Sequence, residues 1–304
     1  MRATLKALVE ALLAGSGPAA LARRAFRRRA LVLAYHNVLP DGAAPGADRS
    51  LHLPLARFRE QLDVLAATAS VVPLAELLEP AAAATTRPRV AITFDDAYTG
   101  AVTTALPELE RRGLPATMFV TPGVLGGGGF WWDMVQAAAG ADLPEGFRLE
   151  ALETGRGEGE RVQALAGLRG LQLAAPPAAC RPASEAELAR ATRWEGFTLG
   201  AHTWSHPNLA RLERHELPAE LGPPLDWLRE RFPRVEPWLA YPYGLTGPAV
   251  EVAAREAGYR AGFLVSGGWL PMAERNPFRL PRLNIPAGLS RNGFVLRTSG
   301  LAPA

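Results

Sequence analysis

The chain has 304 residues, with 33 Lys and Arg against 30 Asp and Glu, a hydrophobic fraction of 48% and a charged fraction of 21%. This is the composition of a folded chain of one large domain or two small ones, and it excludes a disordered protein. Cys180 is the single cysteine, which excludes a disulfide framework and a Cys-rich zinc module, and no uncharged apolar run reaches the roughly 18 residues of a spanning helix.

The sequence pI is 9.4, but the basic charge is local. Residues 1–29 hold Arg2, Lys6, Arg23, Arg24, Arg27, Arg28 and Arg29 against Glu10, a net of +6 within a total of +3, which leaves residues 30–304 at −3. A mildly acidic body repels a phosphate backbone, so no nucleic-acid partner is expected. In the arm, Leu5, Leu8, Val9, Leu12 and Leu13 keep the spacing of one helical face, and Gly15, Gly17 and Pro18 end it. Lys6 and Glu10 interrupt the apolar stretch and the strongest basic cluster follows it, unlike a secretory signal. The simplest expectation is a helix packed on the outside of the body. The other is a peripheral contact with anionic lipid, to which each basic residue contributes about 1 kcal/mol. A cytoplasmic location goes with both, peripheral to the inner membrane in the second.

From residue 30 onward, Ala30–Tyr35 reads as a buried strand ending at His36. Leu55–Ala67 has helical spacing, Ser70–Pro73 suits a short strand, and Leu74–Glu79 a helix. Arg89–Phe94 is the best strand of the chain and runs into Asp95-Asp96; a helix over 100–112 stops at Gly113, and Ala116–Val120 is the next strand. Residues 123–193 depart from this rhythm and read as an insertion with one or two helices, including Ser184–Thr192, where Ser184 and Glu187 match a capping box. Strands at Phe197–Ala201, Trp238–Tyr241, Arg260–Val265 and Arg279–Ile285 then alternate with helices at Pro218–Arg231 and Pro248–Ala257.

Alternating strands and helices predict an α/β fold with a parallel sheet. Their number, with no G-x-G-x-x-G after the first strand, favours a distorted (β/α) barrel of about seven parallel strands over an open sheet. In such a barrel His36, Asp95-Asp96, His202 and Tyr241–Gly244 share the mouth at the carboxyl ends of the strands.

Two adjacent carboxylates at the end of an apolar strand are costly unless a cation offsets them. Taken alone, the pair also suits a helix N-cap and its neighbour. His202-Thr-Trp-Ser-His206 spaces two imidazoles four residues apart; Pro207 biases the segment toward a tight turn rather than a helix. Thr203 stands where an H-E-x-x-H motif has its glutamate, so a base must come from elsewhere. Together, two imidazoles and one carboxylate make the arrangement of a hydrolytic zinc site. His36 by itself is equally well a buried histidine bonded to backbone. His52 is expected at the rim, and His215, among Glu213, Arg214 and Glu216, in solvent.

The Thr-Phe-Asp-Asp, His-Thr-Trp-Ser-His-Pro and Tyr-Pro-Tyr-Gly segments resemble successive motifs of the polysaccharide deacetylase family, the NodB-like carbohydrate esterases. The resemblance covers about residues 30–290 apart from much of 123–190. Tyr-His-Asn-Val at 35–38 is similar to the branch containing bacterial poly-N-acetylglucosamine deacetylases, with a permuted motif order. The resemblance implies Asp95 as general base, Asp96, His202 and His206 as ligands of a divalent metal, most simply Zn2+, and His36 as the acid for the leaving amine. It also implies that the Tyr243 backbone N–H stabilises the oxyanion. Two positions depart from the family pattern: Ala240 stands where an arginine often holds the base, and Arg282-Leu283-Asn284 replaces Leu-x-His. His36 covers the second gap; for the first another arginine must substitute, Arg282 being the candidate. Trp131, Trp132, Tyr241 and Tyr243 offer flat faces for a sugar, with Trp131 and Tyr241 the more natural core residues.

The expected activity is hydrolysis of the N-acetyl group of an N-acetylated glycan in exopolysaccharide synthesis, on a lipid-linked or nucleotide-linked intermediate. The alternatives are a non-catalytic glycan-binding module on a degenerate barrel, and an amidohydrolase for small non-sugar amides.

Overall fold

The structure, a computed structural model, describes residues 2–15, 17–79, 86–137, 143–271 and 276–302, with side chains from residue 8 onward. Seven parallel strands close into a barrel: β1 (Ala30–Tyr35), β2 (Arg89–Phe94), β3 (Ala116–Val120), β4 (Phe197–Ala201), β5 (Val235–Ala240), β6 (Ala261–Gly267) and β7 (Leu280–Asn284). Each strand pairs with the next. Closure comes from β7 returning to β1, with Leu283 opposite Leu33 and Asn284 opposite Ala34. Register shifts within β5 and β6 distort the circle. The expected α/β barrel is thus present. A short strand, Ser70–Val71, pairs with the amino-terminal end of β2.

Alternation along each strand divides the apolar residues in two. Ala30, Val32, Ala91, Phe119, Trp238, Ala240, Ala261, Phe263 and Leu280 form one buried cluster, the barrel interior. Leu31, Leu33, Tyr35, Val90, Ile92, Phe94, Met118 and Val120 form the other, beneath the helices. Arg282 has the inward parity of Leu280. It is fully buried, with its guanidinium 5.2 Å from the Phe119 ring centre.

The segment read as a helix over 100–112 begins with a π-turn, Ala101–Ala105, before the α-helix Leu106–Arg112. Pro107 has no N–H to give, and the wider turn precedes it. The insertion is richer than the one or two helices expected. Trp131–Met134, Phe147–Glu153, Gly159–Leu168 and Glu185–Ala191 are all helical, the last opened by the Ser184/Glu187 capping box. A further helix, Arg291–Ser299, was not legible in the sequence.

The amino-terminal arm forms two helices, Arg2–Gly15 and Gly17–Phe26. They lie against the carboxyl-terminal helix: Ser290 Oγ donates to Glu10 at 2.7 Å, Ala19 is fully buried, and the Phe26 ring meets Gly300. Leu8, Val9, Leu12 and Leu13 nevertheless face solvent. The side chains of Arg2, Leu5 and Lys6 lie outside the described residues. Among the described residues no helix is long and apolar enough to cross a membrane.

Candidate active site

The carboxyl ends of β1, β2, β4, β5 and β7 converge on one cavity of about 220 Å3, lined by His36, Asp95, Asp96, His202, His206 and Asn284 among others. Asp95 prolongs the β1–β2 ladder, its N–H donating to the Tyr35 carbonyl at 2.9 Å. The chain then turns through left-handed conformations at Asp96 (φ 71°) and Ala97 (φ 52°), which is how two consecutive carboxylates both reach the mouth. Thr203 (φ 64°), His206 (φ 67°) and Tyr243 (φ 59°) have the same uncommon conformation. Such strain persists only where surrounding structure imposes it, and it gathers at functional sites.

Asp96, His202 and His206 are all buried, and one ligand atom from each lies within 4.8 Å of the others. Asp96 Oδ1 is 3.5 Å from His202 Nε2 and 3.2 Å from His206 Nε2, without a hydrogen-bond partner of its own. His202 Nδ1 lies 2.7 Å from the Ala240 carbonyl, which can only accept. The proton therefore sits on Nδ1, and the Nε2 lone pair faces Asp96. Burial lowers the His202 pKa to about 4, which keeps the ring neutral. The segment 202–208 is a turn rather than a helix, held in part by the His206 N–H donating to Thr203 Oγ1 at 3.0 Å. A buried carboxylate oxygen without a partner, facing two imidazole nitrogens, fits a divalent cation, and the three groups are a common ligand set for zinc.

Asp95 is bound on its other side. Arg282 Nη1 and Nη2 each donate to one of its carboxylate oxygens at 2.7 Å. Arg282 is itself oriented: Nε donates to the Leu264 carbonyl at 2.8 Å, and Nη1 also donates to Thr93 Oγ1 at 3.1 Å. Burial alone would raise the Asp95 pKa; the guanidinium outweighs it and holds the carboxyl well below the usual range. An ionised carboxylate fixed by a planar fork is a positioned proton acceptor. His36, half-buried, stands at the end of β1 on the same cavity.

Residues 82–262 match the family described as Polysaccharide deacetylase. The chain belongs to that family. No curated protein matches it. Among solved structures it is similar to the deacetylase PplD of Streptococcus pyogenes in complex with acetate (16% identity, 88% of this chain and 97% of that one, TM-score 0.59). It is also similar to IcaB from Ammonifex degensii (17%, 91% and 98%, TM-score 0.59) and to BC0361, a polysaccharide deacetylase from Bacillus cereus (14%, 88% and 68%, TM-score 0.58). At these identities the likeness is one of fold.

Against the family pattern, the arginine at Asp95 enters from β7 rather than from position 240. Ala240, inward on β5, occupies little of the barrel interior, and its carbonyl orients His202. Arg282, the candidate for the missing arginine, is the residue found there, although 187 residues separate it from Asp95.

The aromatic residues separate by where their polar atoms go. Trp132 lines the cavity with its ring 4.8 Å from the His206 ring, while its Nε1 donates to Tyr98 Oη at 2.8 Å. The Tyr243 ring packs at 4.7 Å on His206, and Trp131 Nε1 donates to Tyr243 Oη at 3.0 Å. Tyr241 touches the cavity, but its hydroxyl donates to the Phe278 carbonyl at 3.0 Å and a side chain at Gly262 would collide with it. Tyr241 is therefore wall rather than a hydroxyl offered to substrate, because the ring is committed to the seam between β5 and β6. Trp131 is likewise buried.

His52 is not at the rim. It is buried, with Nε2 2.7 Å from Asp133 Oδ1, while Tyr98 Oη donates to Asp133 Oδ2 at 2.7 Å. The network ties the loop after β1 to the insertion helix that carries Trp132. Asp133 was not foreseen as the partner of His52, which lies 81 residues before it in the chain. Arg148, from the insertion, also lines the cavity and pairs with Asp48 at 2.5 Å. His215 is exposed, as expected.

Proposed function

We propose that this polysaccharide deacetylase is a divalent-metal-dependent N-deacetylase of N-acetylated sugars. The reading rests on one observation: the partnerless Asp96 oxygen with the His202 and His206 nitrogens, beside a separately clamped Asp95, in one cavity. When bound, a divalent ion supplies a Lewis acid for the amide carbonyl and acidifies the attacking water. Asp95 takes the proton of that water, since Arg282 keeps it ionised and fixes its lone pairs. The Tyr243 N–H, in the left-handed turn after Pro242, stabilises charge developing on the carbonyl oxygen, a contribution of roughly 3 kcal/mol for one donor. His36 donates a proton to the departing nitrogen, so that acetate and a free sugar amine leave. The faces of Trp132 and Tyr243 pack on the sugar ring.

The test is acetate release from N-acetylglucosamine oligomers by protein of known metal content. Release that depends on metal, and returns when Zn2+ is restored after chelation, is expected. Oligosaccharide binding without acetate release would favour a glycan-binding module, release only from short amides a small-molecule amidohydrolase, and full activity in metal-free protein would reject the mechanism.

A further inference from the structure

The face formed by the amino-terminal arm and the segment entering β2 has no part in the deacetylase site, and its chemistry is distinctive. Arg23, Arg24 and Arg27 of the second arm helix and Arg87 line one groove of about 360 Å3, with Thr68 and Thr86, and none of its described lining residues is acidic. Arg28 and Arg29 follow, both exposed. The same arm exposes Leu8 (59%), Val9 (45%), Leu12 (63%), Leu13 (40%) and Leu21 (68%). Five of the twelve exposed large apolar side chains of the described residues thus fall within one stretch of 14 residues, the other seven being spread from Leu143 to Leu301. The stripe is not the packing face of its helix. Glu10 meets Ser290 and Ala19 is buried, whereas the leucines point outward.

We infer that this face seats the protein on an anionic phospholipid surface. A groove lined by guanidinium groups, with no acid among its described residues, suits phosphate headgroups, and the apolar side chains exposed by the same arm suit the acyl boundary. The two features together separate lipid from the alternatives. Nucleic acid would engage the arginines but has no use for exposed leucines. A second copy would cover the leucines but bring two sets of arginines toward each other. The body at −3 and the arm at +6 also orient the molecule, with the arm toward a negative surface and the body away from it. The face shares no residue with the cavity at the mouth, so seating leaves the site open.

The experiment is flotation of the full chain with vesicles of phosphatidylcholine alone or of phosphatidylcholine and phosphatidylglycerol at 3:1, at low and high salt. Binding to the anionic vesicles, at least about tenfold weaker to the neutral ones and weakened by salt, is expected. Arg23→Gln/Arg24→Gln/Arg87→Gln should weaken it about a hundredfold, at about fivefold for each charge. Leu8→Gln/Leu13→Gln should weaken it at least about tenfold at unchanged charge. Circular dichroism and thermal melting check the fold; were the triple variant to unfold, Arg24→Gln alone should show the fivefold loss. Failure of the full chain to float with anionic vesicles, or variants that bind like the parent, would overturn the inference. So would a dimer abolished by the leucine changes with vesicle binding intact, or an oligonucleotide bound as tightly as vesicles and indifferent to the leucines. None of these readouts involves acetate release, so the inference stands or falls apart from the deacetylase reading.

Discussion

On the β7 side of the mouth both oxygens of Asp95 are matched: they meet two guanidinium nitrogens of Arg282, and the guanidinium is held by Leu264 and Thr93. On the β4 side, one residue later, Asp96 Oδ1 is equally buried and has no partner but two nearby imidazole nitrogens. A carboxylate whose lone pairs are shared with arginine stays charged and in place. One left open among imidazoles is placed to hold a cation in the mechanism proposed here. In the proposed mechanism this difference assigns the proton-accepting role to Asp95 and the metal-holding one to Asp96.

The largest effect should come from the open side. His202→Ala, like chelation of the parent protein, is expected to bring both bound metal and acetate release to background, read by metal analysis and an acetate assay. Stoichiometric metal retained in this variant would move the ion elsewhere. Asp95→Asn should lower turnover by about 10²–10⁴-fold while metal content stays at the parent level, so the two variants separate the neighbours on one pair of measurements.

The next effect tests the closed side through stability. Arg282→Met strands the Asp95 charge in the barrel and should cost about 3–5 kcal/mol in urea unfolding, the range for breaking a buried pair. Combining it with Asp95→Asn should recover much of that loss, since no charge is then left alone.

Acid titration gives a smaller, graded effect. Asp95 is held below its ordinary 3.8 by Arg282 against the opposing effect of burial. Glu108, likewise opposed by burial, is brought from 4.5 to about 2 by Arg112, Arg111 and Arg59. Both folded values lie below the unfolded ones, so their stabilisation is complete above about pH 4.5 and drains away as pH falls through the folded values. His202, lowered by burial from 6.5 to about 4, begins the decline, since below about pH 6.5 only the unfolded chain protonates it. Urea midpoints should therefore fall gently below about pH 6.5 and more steeply below about pH 4.5, with the Asp95 part of that decline absent in Asp95→Asn. Smallest of all, Trp132→Phe removes the hydrogen bond to Tyr98 and should cost about 1 kcal/mol by the same assay, without loss of metal.

The sequence by itself determined the barrel strands, the turn at His202–His206, and the clustering of His36, Asp95, Asp96, His202 and His206, because local alternation and strand-end position set these. Trp238–Tyr241 was found three residues late because Val235–Pro237 lacks an apolar pattern, and Arg291–Ser299 was missed because its apolar residues are few and interrupted by Gly293. Only the tertiary structure decided that Arg282, a candidate until then, holds Asp95, that His52 is buried against Asp133 rather than lining the rim, that the Tyr241 hydroxyl is spent on Phe278, and that Leu8, Leu12, Leu13 and Leu21 of the arm are exposed. Each of these depends on which distant partner a side chain meets once the barrel has closed. A charged or aromatic residue carries its local preference in the sequence, but its partner is set by packing across more than a hundred intervening residues in the case of Arg282.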